Sequence, residues 1–129
     1  MKANQQKTIL VVDDDPTVLA FVSKLLIDGR HSVLTAVDGP CAVEVARSYE
    51  GEIHLLLSDF EMPGMSGIEL ATALALGRPA IKVLMMSGFV GGMLVLNEGW
   101  HFLAKPFVAS QLRSIVTSIL FPDKSRFCP

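Results

Sequence analysis

Short apolar runs alternate with amphipathic stretches along this chain, and that alternation restricts it to an α/β layer architecture. The runs are Thr8–Val12, Ser32–Val37, Ile53–Ser58, Lys82–Met86 and about His101–Ala104. Each has the length of a strand and is too short for a buried helix. Between them lie helical patterns. Val18, Val22, Leu25 and Leu26 share one face of a first helix, opened by the Asp15-Pro16 cap and closed by Gly29. A second runs from about Pro40 to Tyr49, with Ala42, Val45, Ala46 and Tyr49 inward. In a third, Ile68, Ala71 and Leu74 form the inner stripe. Leu112, Ile115, Val116, Ile119 and Leu120 recur at helical spacing in a fifth. The stretch between Ser87 and His101 is broken by Gly88, Gly91, Gly92 and Gly99. It is expected to hold a short, weak fourth helix, since each interior glycine costs roughly 1 kcal/mol of helix stability.

Five βα units with short connections imply a doubly wound parallel sheet with helices on both faces. The strand order 2-1-3-4-5 puts the switch point between strands one and three. Four of the runs end on a side chain with chemistry: Asp13-Asp14-Asp15, Asp59, Ser87 and Lys105-Pro106. In an open parallel sheet, ligands bind outside the carboxyl ends of the strands. Carboxylates, a hydroxyl and an ammonium arriving together at that edge describe a site for a metal and a phosphoryl group. One Asp after a strand is a common loop acid; the whole set at successive strand ends is not.

Composition removes other classes. The chain has 129 residues, enough for one domain with a single core, expected over about 8–120 with a tail at 121–129. A formal net charge of -2 leaves no electrostatic footprint for nucleic acid. No apolar run is long enough to span a bilayer, and the polar Met1–Lys7 leads straight into a strand. Cys41 and Cys128 have neither CxxC spacing nor a histidine pattern beside them, so they read as plain thiols of a reducing cytoplasm. His31, His54 and His101 stand singly and read as surface or edge residues.

The chain resembles the receiver domain of two-component response regulators. The resemblance covers about Thr8 to Leu120. It is carried by Val11-Val12-Asp13-Asp14-Asp15-Pro16, by Met86-Ser87-Gly88 and by Lys105-Pro106-Phe107. Most of all it is carried by Asp59-Phe60-Glu61-Met62-Pro63-Gly64-Met65-Ser66-Gly67, which fits the family's D-x-x-M-P-x-M-x-G run at every fixed position. The fold implied is flavodoxin-like, with five helices.

The resemblance implies that Asp59 accepts a phosphoryl group as a covalent nucleophile. It implies Mg²⁺ as cofactor, held by Asp14, Asp59 and the backbone carbonyl of Glu61 directly and by Asp13 through water. Asp15 is expected to cap the first helix rather than bind metal. Ser87 and Lys105 are expected on phosphoryl oxygens, with a cis Lys105-Pro106 bond. A charge count agrees: three carboxylates are balanced by a divalent cation plus the Lys105 ammonium. Phe102 matches the family's switch aromatic, or is a core residue of its strand. The implied partners are a sensor histidine kinase or phosphotransfer protein and a downstream protein target. That target would read the face of helix four, strand five and helix five. The chain would then be a cytoplasmic signalling module, not a turnover enzyme.

Ser87 and Lys105 stand closer than in many receivers, by about one helical turn. Met93–Leu96, in the shortened stretch, are expected either to pack on the sheet or to form part of a partner patch. Glu61 and Phe89 are expected at the mouth of the site, where Phe89 would slow loss of phosphate. Two rivals stand beside this reading. Asp13-Asp14-Asp15 superficially resembles the D-x-D motif of haloacid-dehalogenase-like phosphatases, with Asp13 as nucleophile and Asp15 as acid/base. The other rival is a receiver fold used as an unphosphorylated binding module.

Overall fold

The five apolar runs pair side by side into one parallel sheet. The computed structural model of the protein describes residues 6–88 and 100–122. Its strands are β1 (Thr8–Val12), β2 (Ser32–Ala36), β3 (Leu55–Asp59), β4 (Lys82–Ser87) and β5 (Trp100–Ala104). They lie in the expected order β2-β1-β3-β4-β5, each pair parallel. In register, Val12 lies between Ala36 and Ser58, and Asp59 lies beside Met86.

The central strands β1, β3 and β4 are largely apolar because both faces of the sheet are covered there. Ile9, Val11, Leu55, Leu57, Leu84 and Met86 pack with α1 (Pro16–Asp28) and α4 (Ala109–Leu120) through Val22, Leu26, Leu112 and Val116. The alternate residues Leu10, Val12, Leu56, Val83 and Met85 turn the other way. They pack on α2 (Gly39–Ser48) and α3 (Gly67–Gly77) through Ala42, Ala46, Leu70, Ala71 and Leu74.

The starts of α1, α2 and α3 are fixed by side-chain caps. Asp15 Oδ1 accepts the Thr17 amide at 2.9 Å, the cap expected of it, and Asp38 Oδ1 accepts the Cys41 amide at 2.8 Å. Ser66 and Glu69 cap α3 reciprocally, with bonds of 3.1 and 2.9 Å. At the other pole the Arg78 guanidinium donates to the carbonyls of Ala46, Tyr49 and Gly51 at 2.8–2.9 Å. It clasps α3 to the carboxyl end of α2, where the helix dipole favours a cation.

The boundaries depart from expectation in small ways. β3 begins at Leu55 rather than Ile53 and ends on Asp59 rather than Ser58, and β4 includes Ser87. Ile53 is buried as a core residue without being part of the ladder. β2 stops at Ala36 because Val37, 51% exposed, has already left the sheet. The described residues hold four helices, not the five expected. The expected fourth helix, with Met93–Leu96 and Phe89, falls in 89–99, outside the described residues; the helix expected as fifth is α4. No described helix is long and apolar enough to cross a membrane.

Candidate functional site

Parallel strands deliver their carboxyl ends to one edge, and the predicted residues meet there. Asp13 and Asp14 follow β1, Asp59 ends β3, Ser87 ends β4 and Lys105 follows β5. Asp13, Asp14 and Asp59 each bring a carboxylate oxygen to within 4.8 Å of the others. The Lys105 ammonium lies 3.4 Å from Asp13 Oδ2 and 3.4 Å from Asp59 Oδ1. Ser87 is buried at the same edge, and its carbonyl accepts the Lys105 amide at 2.7 Å. The Lys105-Pro106 bond is cis, as the resemblance implied.

The three acids are held differently. Asp13 is 0% exposed, and a buried charge needs partners. Its Oδ1 accepts the Asp15 amide at 2.8 Å and its Oδ2 faces Lys105. Asp14 is exposed and Asp59 half-buried, so these two retain open carboxylate oxygens. Burial pushes the Asp59 carboxyl above its ordinary value. The Asp13 charge adds to that, while Lys105 and a hydrogen bond from the Glu61 backbone oppose it. All the donors are hard oxygens, which suits a hard divalent cation such as Mg²⁺ rather than a soft metal.

The backbone beyond Asp59 is pinned on both sides. Phe60 N–H donates to Met86 O at 2.7 Å, Gly67 N–H to Phe60 O at 2.9 Å, and Ser58 Oγ–H to Asp59 O at 2.9 Å. Gly67 opens α3 against this turn, where a Cβ would lie 2.4 Å from Asp59 O and 3.1 Å from Phe60 Cα. Both are backbone atoms that cannot swing aside. Gly67→Ala is therefore expected to destabilise the fold by about 2–3 kcal/mol. A denaturant melt checks this, and an unchanged midpoint would contradict the close approach.

Glu61 is exposed, and its backbone hydrogen-bonds to the Asp59 carboxylate. Phe102 is half-buried, level with Met85 in β4, and packs on the α2–α3 layer. Asp15 caps α1 and stands apart from the carboxylate cluster. Beside Lys105 runs a mostly apolar groove of about 510 Å³ lined by Val18, Phe21, Gly88, Pro106 and Phe107. Sequence reasoning missed this groove and the roles of Ser58 and Gly67. The Gly67 signal was present, since that position is the last glycine of the recognised run.

Comparisons with known proteins agree with the geometry. The family model of the response regulator receiver domain matches residues 9–117. Among curated relatives, the sensor kinase CckA of Brucella abortus is 31% identical over 88% of this chain, which spans 12% of that protein. The two-component response regulator ARR14 of Arabidopsis thaliana is 34% identical over 83% of this chain, which spans 29% of it. The chain thus covers only a minor part of either relative. Among solved structures, a receiver domain protein from Clostridium thermocellum superposes with a TM-score of 0.80 at 25% identity, covering 93% of this chain and 98% of that one. The receiver domain of the hybrid histidine kinase CckA gives 0.72 at 31% identity, covering 88% and 98%. Matched by family model, relatives and fold alike, this chain belongs to the response regulator receiver domains of two-component signalling.

Proposed function

We propose that the chain is the phosphoacceptor unit of a two-component phosphorelay, one receiver domain over about 8–120, with Asp59 as the acceptor. One observation carries the reading: an ammonium 3.4 Å from the Asp59 carboxylate, inside a carboxylate cluster at the sheet's carboxyl edge. Asp14, Asp59 and the Glu61 carbonyl would hold Mg²⁺ directly, and Asp13, whose oxygens already serve Asp15 and Lys105, would act through water. When bound, the cation supplies two positive charges against the phosphoryl oxygens.

The chain's own residues do the rest. An Asp59 oxygen bonds to phosphorus as the donor's bond to phosphorus breaks, and the bonding pair leaves with the donor. The transition state spreads negative charge over the phosphoryl oxygens, so positioning and charge compensation dominate. Lys105 shifts from carboxylate to phosphoryl oxygen, and the Ser87 hydroxyl donates to another. Asp13 stays fixed by the Asp15 amide and holds Lys105 on the reaction side.

The donor would be the phosphoimidazole of a sensor histidine kinase or phosphotransfer protein in the cytoplasm. Phosphate would select one of two existing arrangements of Ser87 and Phe102. That would alter the face of β5 and α4, which a downstream protein reads. The domain is a signalling module rather than a turnover enzyme. The phosphatase rival has no support: its acid/base, Asp15, is committed to the α1 cap.

Labelled acetyl phosphate with Mg²⁺ tests the proposal. Label that survives mild acid and is released by hydroxylamine marks an acyl phosphate. Absence of label, or acid-labile label on histidine, contradicts it. For the metal, a Mg²⁺ titration followed by amide NMR is expected to shift Asp14, Asp59 and Glu61 with saturation. Asp14→Ala should weaken binding by more than about tenfold, a loss seen even for outer-shell partners. Equal affinity in the variant would remove Asp14 from the ligand set.

A further inference from the structure

The opposite edge of the sheet carries chemistry that phosphoryl transfer does not use. His31 precedes β2 and His54 precedes β3, so they flank the start of β1 on either side. Expected as surface or edge residues, both are half-buried. Each accepts a backbone amide of successive residues: Lys7 N–H donates to His31 Nδ1 at 3.3 Å, and Thr8 N–H to His54 Nδ1 at 3.0 Å. An imidazole accepts at Nδ1 only when that nitrogen carries no proton. His54 Nε2 faces the Glu52 carboxylate at 3.3 Å, which keeps the proton on Nε2 and the lone pair on Nδ1.

We propose that His31 and His54 form an acid-sensitive latch on the start of β1, closed while both imidazoles are neutral and released when they take up protons. A charged imidazole is a donor at both nitrogens. Protonation sets Nδ1–H against the amide N–H it had accepted, and both bonds are lost together with the pairing they anchor.

The surroundings decide the sign. His31 meets Lys7 from the start of β1, His54 from the start of β3, and the Phe121 ring from the end of α4, 6.4 Å between centroids. The Lys7 ammonium lies 5.3 Å from the centroid of the same ring, so a charged His31 would bring a second cation there. His54 meets Glu52 from its own loop and His31 across β1. Lys82 of β4 donates its amide to the His54 carbonyl at 3.1 Å, and its ammonium reaches the Ile119 carbonyl at 3.4 Å. Burial, the His54 charge and the Lys7 charge, in that order, lower the His31 pKa. The unfolded chain therefore binds protons first. The His31 contribution is complete above the ordinary imidazole value of about 6.5 and is lost as pH falls through its lower folded value. Glu52, the carboxylate that faces His54 Nε2, is exposed and screened by solvent. The latch is independent of the phosphoryl-transfer reading.

The test is amide exchange on the full chain, corrected for intrinsic rates, at about pH 7.5 and about pH 5.5 on either side of the imidazole range. Protection at Lys7 and Thr8, taken relative to Leu84 in the central sheet, should fall by about tenfold or more on acidification. In His31→Asn/His54→Asn, where an amide oxygen replaces Nδ1 and does not titrate, that fall should disappear. An equal fall in the variant, or none in the native chain, would overturn the latch. Ring nitrogen shifts of the unmodified chain provide a check without mutation: a proton on Nδ1 of either histidine at the higher pH would also overturn it.

Discussion

Asp59→Asn is expected to lower phosphoryl incorporation from acetyl phosphate by more than about a thousandfold and to leave the fold standing. The amide oxygen is too poor a nucleophile to attack phosphorus, and no other acid among the described residues is placed to substitute for it. Asp13 is the nearest substitute, but it is 0% exposed and bonded through both oxygens. Asp14 is exposed and lacks the ammonium that Asp59 shares with Asp13. Stability should change by less than about 1 kcal/mol, the range of sites without a buried defect. Burial already disfavours the Asp59 charge, and removing it eases repulsion from Asp13. Incorporation assays beside a thermal melt check both halves. Residual labelling in the folded variant would point to a second acceptor.

Lys105→Met should act on rate and stability together. The ammonium is the cation shared by Asp13 and Asp59, at 3.4 Å from each. Without it the buried Asp13 loses a partner, at a cost of about 1–3 kcal/mol because the lysine side chain is itself 23% exposed. Incorporation should fall by about a hundredfold, the loss typical of removing one preorganised donor to the developing charge. Saturating Mg²⁺ should narrow the stability gap to the native chain but not the rate gap, since Lys105 addresses a different phosphoryl oxygen. Melts with and without Mg²⁺, beside labelling rates, separate the two effects. A variant as fast as the native chain would remove Lys105 from the reaction.

What the sequence made legible was whatever a short local pattern can carry. Ile9–Val12 and Leu55–Leu57 announce strands buried on both faces, and their abrupt ends at Asp13 and Asp59 mark the site by sequence alone. Asp15-Pro16 announces its helix start in the same way. The Ser66–Glu69 capping box is equally local, yet helical periodicity places α3 without reference to it. Features that depend on distant chain were not legible. Arg78 clasps carbonyls 27–32 residues away, and His54 accepts an amide 46 residues away. Strand boundaries shifted for the same reason, since the ladder is set by neighbours such as Lys82 and Thr8 and not by the run itself. Glycine spacing could not place a fourth helix, and that segment lies outside the described residues.

Intact-mass spectrometry after incubation with acetyl phosphate, with and without Mg²⁺, decides whether Asp59 is the phosphoacceptor. One added phosphoryl group is expected with Mg²⁺ and none without it, with borohydride trapping that converts Asp59 alone. A folded chain that gains no mass with Mg²⁺, or that gains it at a residue other than Asp59, would contradict that role.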